Sequence, residues 1–112
     1  MKKIEAIIRS EKVGVVRQAL EKTNFTGLTL IQVNGHGHQK GTVQRWKNQD
    51  YKVGILPKTK IEIVVHDNDV KTIVATICET AKTGEYGDGK IFIYPVEEAV
   101  RVRTGETGPT VL

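Results

Sequence analysis

The sequence has little from which to build covalent staples, aromatic platforms or a membrane anchor. One cysteine, Cys78, among 112 residues excludes an internal disulfide and fits a reducing compartment. Aromatic residues make up 5%, and Phe92 and Tyr94 alternate without the basic-glycine-aromatic preface of an RNA-recognition motif. That pair is expected in the core or at an interface. No apolar run approaches the ~20 residues that cross a bilayer. The start, Met1-Lys2-Lys3-Ile4-Glu5, puts a carboxylate where a secretory signal needs uninterrupted apolar residues. A cytoplasmic protein is predicted. Catalytic constellations are missing too: no paired carboxylates mark a loop, and Ser10 reads as a helix cap rather than a nucleophile. Cys78, beside Ile77 in a helical stretch, is expected to pack as a small hydrophobe. The expectation is a protein that is not an enzyme.

What is present suffices for one domain, spanning residues 1–112, since a chain of this length buries roughly two-thirds of its unfolded surface. The net charge is +4, and its distribution says more than its size. Between residues 35 and 60, Lys40, Arg45, Lys47, Lys52, Lys58 and Lys60 face Asp50 alone. The whole positive excess therefore lies in one segment, where it can steer an anionic ligand or partner.

An internal repeat sets the fold. Lys3-Ile4-Glu5-Ala6-Ile7-Ile8-Arg9 recurs as Lys60-Ile61-Glu62-Ile63-Val64-Val65-His66, and the same offset relates Val13 to Val70, Val16 to Ile73 and Leu20 to Ile77. Each copy opens with a β-branched run that reads as a strand. Apolar residues at helical spacing follow, entered through Ser10 in one copy and Asp67 or Asn68 in the other as N-caps. Further strands are predicted over 28–33 and 91–94, giving the order βαββαβ. That order defines an α+β, ferredoxin-like, double split βαβ arrangement with both helices on one face of a four-stranded sheet. The other face is left for a ligand, a nucleic acid or another subunit. A short C-terminal strand is expected over 100–103, its alternation sending Arg101 and Arg103 to one side about 6.6 Å apart. A connection over 34–59 shows no helical or strand period, and so long a loop in a small domain is usually functional or disordered.

Two glycine clusters could carry chemistry. Gly35-His36-Gly37-His38-Gln39-Lys40-Gly41 lets backbone amides converge on an anion, but it is neither a Walker loop nor a dinucleotide fingerprint. His36 and His38 without a neighbouring cysteine or carboxylate are weak metal ligands. In Thr83-Gly84-Glu85-Tyr86-Gly87-Asp88-Gly89-Lys90, Gly84 alone would explain a helix stop. The additional glycines and Lys90 exceed that need and suit a phosphate cradle.

Taken together, these blocks resemble the PII nitrogen-regulatory signal-transduction family over essentially the whole chain. The most specific are the opening Met1-Lys2-Lys3-Ile4-Glu5-Ala6-Ile7-Ile8-Arg9, Gly37-His38-Gln39-Lys40-Gly41, Leu56-Pro57-Lys58, Thr83-Gly84 with Gly87-Asp88-Gly89-Lys90-Ile91-Phe92, and Val100-Arg101-Val102-Arg103-Thr104-Gly105-Glu106. The resemblance implies a homotrimer with ATP or ADP in clefts between neighbouring subunits. Phosphate contacts carry over onto Gly87, Gly89, Lys90, Arg101 and Arg103, with Gly37, His38, Gln39 and Asp88 in the same nucleotide site. The adenine end carries over onto Thr29 and Val64. A 2-oxoglutarate site is implied at Gln39, Lys40, Gly41 and Lys58, with Gln39 joining ATP in holding Mg2+ when 2-oxoglutarate is bound. The long loop, about residues 36–55, would dock through Arg45, Trp46, Lys47 and Tyr51 onto a membrane transporter, such as an ammonium transporter, or a nitrogen-assimilation enzyme. Membrane recruitment would follow from the former.

The chain departs from the family pattern at several points. His38 stands where arginine is common, the loop centre reads Thr42-Val43-Gln44-Arg45-Trp46, and Gly54 replaces an acidic residue. Tyr51 matches a position nucleotidylated in some members, in altered surroundings. From the residues alone two other readings remain: a ferredoxin-like RNA-binding module, favoured by the charge, and a small trimeric metal-binding protein using His36 and His38.

Overall fold

The computed structural model describes residues 1–35, 44–46, 49–51 and 56–112. Among these residues six strands and two helices run in the order β1 (Lys2–Arg9), α1 (Val13–Leu20), β2 (Thr29–Gly35), β3 (Gln44–Trp46), β4 (Gln49–Tyr51), β5 (Leu56–Val65), α2 (Val70–Ala81) and β6 (Gly89–Pro95). Four strands form one antiparallel sheet in the order β2-β5-β1-β6. The repeat thus becomes a pair of central strands, β1 and β5, with Ile4 opposite Ile63. This is the expected ferredoxin-like βαββαβ arrangement, with β3 and β4 added inside the long connection as a separate two-stranded hairpin. The segment read as lacking any strand period therefore contains one pairing, Arg45 opposite Asp50. Strands of three residues are too short to show a period in sequence.

Strand alternation decides the core. Ile4, Ala6 and Ile8 of β1 and Ile61, Ile63 and Val65 of β5 are buried, and they meet Val16 and Leu20 of α1 and Ile73, Ile77 and Ala81 of α2. Truncating one of these isoleucines to alanine typically costs about 2–5 kcal/mol. The intervening residues belong to the face away from the helices. In register across β2, β5, β1 and β6 that face reads Thr29, Glu62, Glu5, Phe92, and in the next row Ile31, Lys60, Ile7, Lys90. Glu5 lies 3.8 Å from Lys60 and 3.9 Å from Lys3, and Lys3 sits 4.8 Å above the Tyr94 ring. Phe92 and Tyr94 are 44% and 42% exposed, so they lie on the open face rather than in the core.

Four local expectations are corrected. Ser10 does not cap α1; its hydroxyl shares a 2.8 Å hydrogen bond with Thr59, because a 3₁₀ turn over Ser10–Lys12 intervenes before the helix. Neither Asp67 nor Asn68 caps α2, which also enters through a 3₁₀ turn, and Asp67 instead accepts the Met1 amine at 3.0 Å. Cys78 is exposed, since at ~100° per residue it is turned off the stripe that buries Ile73, Ile77 and Ala81. The strand expected over 100–103 shrinks to one bridge, Val100 with Thr107. Arg101 N–H donates to the Glu106 carbonyl at 2.8 Å and Gly105 N–H to the Arg101 carbonyl at 2.7 Å, so the chain turns back on itself there.

Candidate functional site: a glycine loop gripped by two strands

At one end of the central strands Arg9 and Lys58 are register partners on the open face. The loop 82–88 that leaves α2 lies against them before β6 begins at Gly89, opposite Ile8. The loop is organised around the carboxylate of Asp88. Its Oδ2 accepts the backbone N–H of Thr83 at 2.7 Å and of Gly84 at 2.9 Å, and its Oδ1 accepts the Thr83 hydroxyl at 2.6 Å. Arg9 Nε donates to the same Oδ1 at 3.2 Å. Desolvation works against the charge of Asp88, but these donors prevail and hold its carboxyl well below the usual carboxylate range.

Both strand cations also take loop carbonyls. Arg9 Nη2 donates to Tyr86 O at 2.8 Å and Lys58 Nζ donates to Gly87 O. Lys58 is buried although it belongs to the open face, because the loop covers it. Burial first, and then the neighbouring Arg9 charge, lower the pKa of its ammonium. A cation in that situation has reason to exchange a neutral carbonyl for an anion. Gly87 and Gly89 have φ of +98° and +110°, and a side chain at Gly89 would meet the Ile7 carbonyl at 1.8 Å. Lys90 follows in β6, exposed and opposite Ile7.

The structure therefore brings Lys58, Gly87, Asp88, Gly89 and Lys90 together, with Asp88 spent on shaping the loop. Thr29 and Val64 form a different corner. Thr29 is opposite Glu62, diagonal to Val64 on the same face, and the Thr26 hydroxyl donates to the Val64 carbonyl at 3.1 Å. Val64 lies six steps along β5 from Lys58, roughly 20 Å. Arg101 pairs with Glu106 at 3.1 Å and donates to the Val111 carbonyl at 3.4 Å. Arg103 is exposed beside the fully exposed Val102. Among the described residues no hydrogen bond joins that turn to the glycine loop. Gly37, His36, His38, Gln39, Lys40, Gly41 and Lys47 lie outside the described residues, and for Arg45, Trp46 and Tyr51 the description reaches only their strand pairing. No cluster of metal-ligating side chains occurs among the described residues.

Sequence reasoning missed Arg9 as part of this site. It closes the first copy of the repeat, where the second copy has His66. That difference was the one visible hint, and nothing in sequence links it to Asp88.

Fold and site together define a small α+β protein whose glycine loop is held on the sheet end by Arg9 and Lys58. A family model described as Nitrogen regulatory protein P-II matches residues 1–106. The chain is 54% identical over 108 residues to Nitrogen regulatory protein P-II 2 of Methanothermobacter thermautotrophicus, covering 96% of this chain and 94% of that protein. It is 51% identical over 106 residues to Nitrogen regulatory protein P-II 1 of Escherichia coli, covering 95% of each. With Nitrogen regulatory protein P-II of Porphyra purpurea, identity is 49% over 112 residues, the full length of both. The chain belongs to the nitrogen regulatory protein P-II family, and it is a regulatory protein by that membership. Among the described residues no helix is long and apolar enough to cross a membrane.

Proposed function

We propose that the protein is a cytoplasmic, homotrimeric sensor that binds ATP or ADP in clefts between neighbouring copies. It reads 2-oxoglutarate beside the nucleotide and controls a transporter or a nitrogen-assimilation enzyme through residues 36–55. The observation that carries this reading is the distance along β5 from Lys58 and the glycine loop, roughly 20 Å to Val64 and roughly 13 Å to the level of Thr29. One nucleotide cannot reach both corners of a single chain in a compact pose, whereas a neighbour laid against the open face can bring its own Thr29 and Val64 to the loop. The turn carrying the half-buried Arg101 and the exposed Arg103 is supplied in the same way.

In this reading Gly87, Gly89 and Lys90 receive the phosphates, and Arg101 and Arg103 of the neighbouring copy close over them. Lys58 releases the Gly87 carbonyl and takes a carboxylate of 2-oxoglutarate. Gln39 accompanies Mg2+ and ATP, and Lys40 and Gly41 offer amides to the oxoacid. The lowered pKa of the Lys58 ammonium supports this exchange, since an anion replaces a weaker partner in a desolvated place.

Calorimetry with ATP, ADP and AMP, each with and without 2-oxoglutarate and Mg2+, tests the reading alongside light scattering. Saturable ATP and ADP binding, 2-oxoglutarate binding only alongside Mg-ATP, and a mass about three times 12.4 kDa are expected. A monomeric mass sinks the shared cleft. RNA binding that ATP fails to displace would favour an RNA-binding module instead.

A further inference from the structure

The open face of the sheet inverts the usual layout of a contact surface, in which apolar residues hold the centre and charges the rim. Its centre is charged. Lys3 and Glu5 of β1 and Lys60 and Glu62 of β5 are the same Lys-x-Glu of the internal repeat, brought side by side because Glu5 and Glu62 are register partners. Lys60 Nζ lies 3.5 Å from Glu62 and 3.8 Å from Glu5, and Lys3 Nζ lies 3.9 Å from Glu5. Glu5 also accepts the Tyr94 hydroxyl, which raises the pKa of that phenol. Although no element covers this face, the Glu5 side chain is only 14% exposed. The apolar groups flank the network, Ile31 on the edge strand β2 and Phe92 and Tyr94 on the edge strand β6.

Two ammoniums and two carboxylates cancel. A polyanion gains nothing from such a centre, and a partner of one charge sign is repelled by half of it. A surface with the same alternation suits it, and this chain carries one, since the repeat makes the pattern read alike from β1 and from β5. We propose that Lys3, Glu5, Lys60 and Glu62 form a charge-balanced core that lets further copies of this chain cover the open face and fixes how they align. Each copy arrives already neutral at its centre, so these charges can leave water without needing new partners, while the apolar flanks supply the attraction. Alignment is selected because a shifted copy sets like charge against like. That copies meet at all rests on the function proposed above; the role of the network does not follow from it, and the test separates the two.

Light scattering of the full-length protein over a dilution series reads assembly, and amide exchange in the β1 and β5 ladder checks that each variant is folded. Glu5→Gln with Glu62→Gln leaves two unopposed ammoniums per copy and should weaken assembly about 100-fold or more, an effect that added salt should partly reverse. If that variant fails to fold, Lys3→Met with Lys60→Met carries the same test with the opposite charge. All four changes together remove the network, and this protein should assemble again, but as a mixture of masses instead of one. A charge-unbalanced variant that assembles as tightly as the unaltered protein, or a single unchanged mass for the four-site variant, overturns the proposal and leaves the trimer standing. A monomeric mass for the unaltered protein overturns both. RNA binding that Lys3→Met with Lys60→Met weakens would give the face to a nucleic acid and overturn the proposal as well.

Discussion

The carbonyl oxygen of Ile7 lies where a side chain at Gly89 would begin, 1.8 Å from an ideal Cβ. β1 and the first residue of β6 approach so closely that only a hydrogen fits between them. The same residue must hold φ at +110°, which a side chain would strain further. Gly89→Ala should therefore destabilise the protein by more than about 2 kcal/mol and displace Lys90. Denaturant unfolding checks the first effect and ATP titration the second.

Asp88 gives the loop an acid-sensitive lock. Its folded pKa lies below its unfolded value, so its contribution is fully present above the ordinary carboxylate range and is lost as pH falls through the folded value. Asp88→Asn should lower stability by about 1–3 kcal/mol at pH 7. The deficit should shrink below about pH 4. Urea unfolding at a series of pH values checks it; a deficit that stays constant with pH would assign the loss to packing.

For Lys58 the fold disfavours the charged form, where for Asp88 it favours it, yet the pH slope has the same sign. Its folded pKa lies below its unfolded value of 10.5, so between those two values the unfolded chain binds more protons and stability rises with pH. Lys58→Met should remove that alkaline rise and leave stability at neutral pH unchanged or improved, since a desolvated cation is replaced by an apolar chain. The same variant should lose 2-oxoglutarate binding while retaining ATP.

Lys90, Arg101 and Arg103 should each contribute more to ATP than to AMP. Their alanine variants should weaken ATP by roughly 10- to 100-fold, the loss of one charge-assisted contact, with a smaller effect on AMP. Calorimetry gives both affinities. Equal losses would place these cations away from the terminal phosphates.

Trp46 is the single tryptophan and sits opposite Gln49 in the β3–β4 pairing. A lone tryptophan on a basic segment suits a partner anchor. Mg-ATP with 2-oxoglutarate should change its emission or its access to a quencher, and Gln39→Ala should abolish the change. An unaltered signal in both proteins would disconnect the effector site from this segment.

Much of the architecture was legible before any coordinates. The repeat of Lys3–Arg9 in Lys60–His66 and the matched pairs Val16 with Ile73 and Leu20 with Ile77 announce two strand-helix units, and all four of these helix residues are buried. Periods of 2 and 3.6 report which residues share a face, and burial follows from that. Local detail was less legible. Cys78 beside Ile77 looks buried in a list of neighbours but points away on a helix. Val100 to Arg103 alternates like a strand, yet Gly105 lets the chain fold back, and among the described residues the pairing stops at Val100 with Thr107.

The pair of half-apolar units, the glycine loop and the segment holding the excess charge are each written in residues close together in the chain, so they could be read from it directly. The grip on that loop, by contrast, arises from long-range packing. Arg9 and Asp88 are 79 positions apart and Lys58 and Gly87 are 29 apart. They meet because the antiparallel register of β1 with β5 and β6 brings one end of each strand to the same place. Register is set by the burial of the whole sheet face, and a shift of one residue would turn Arg9 and Lys58 toward the core.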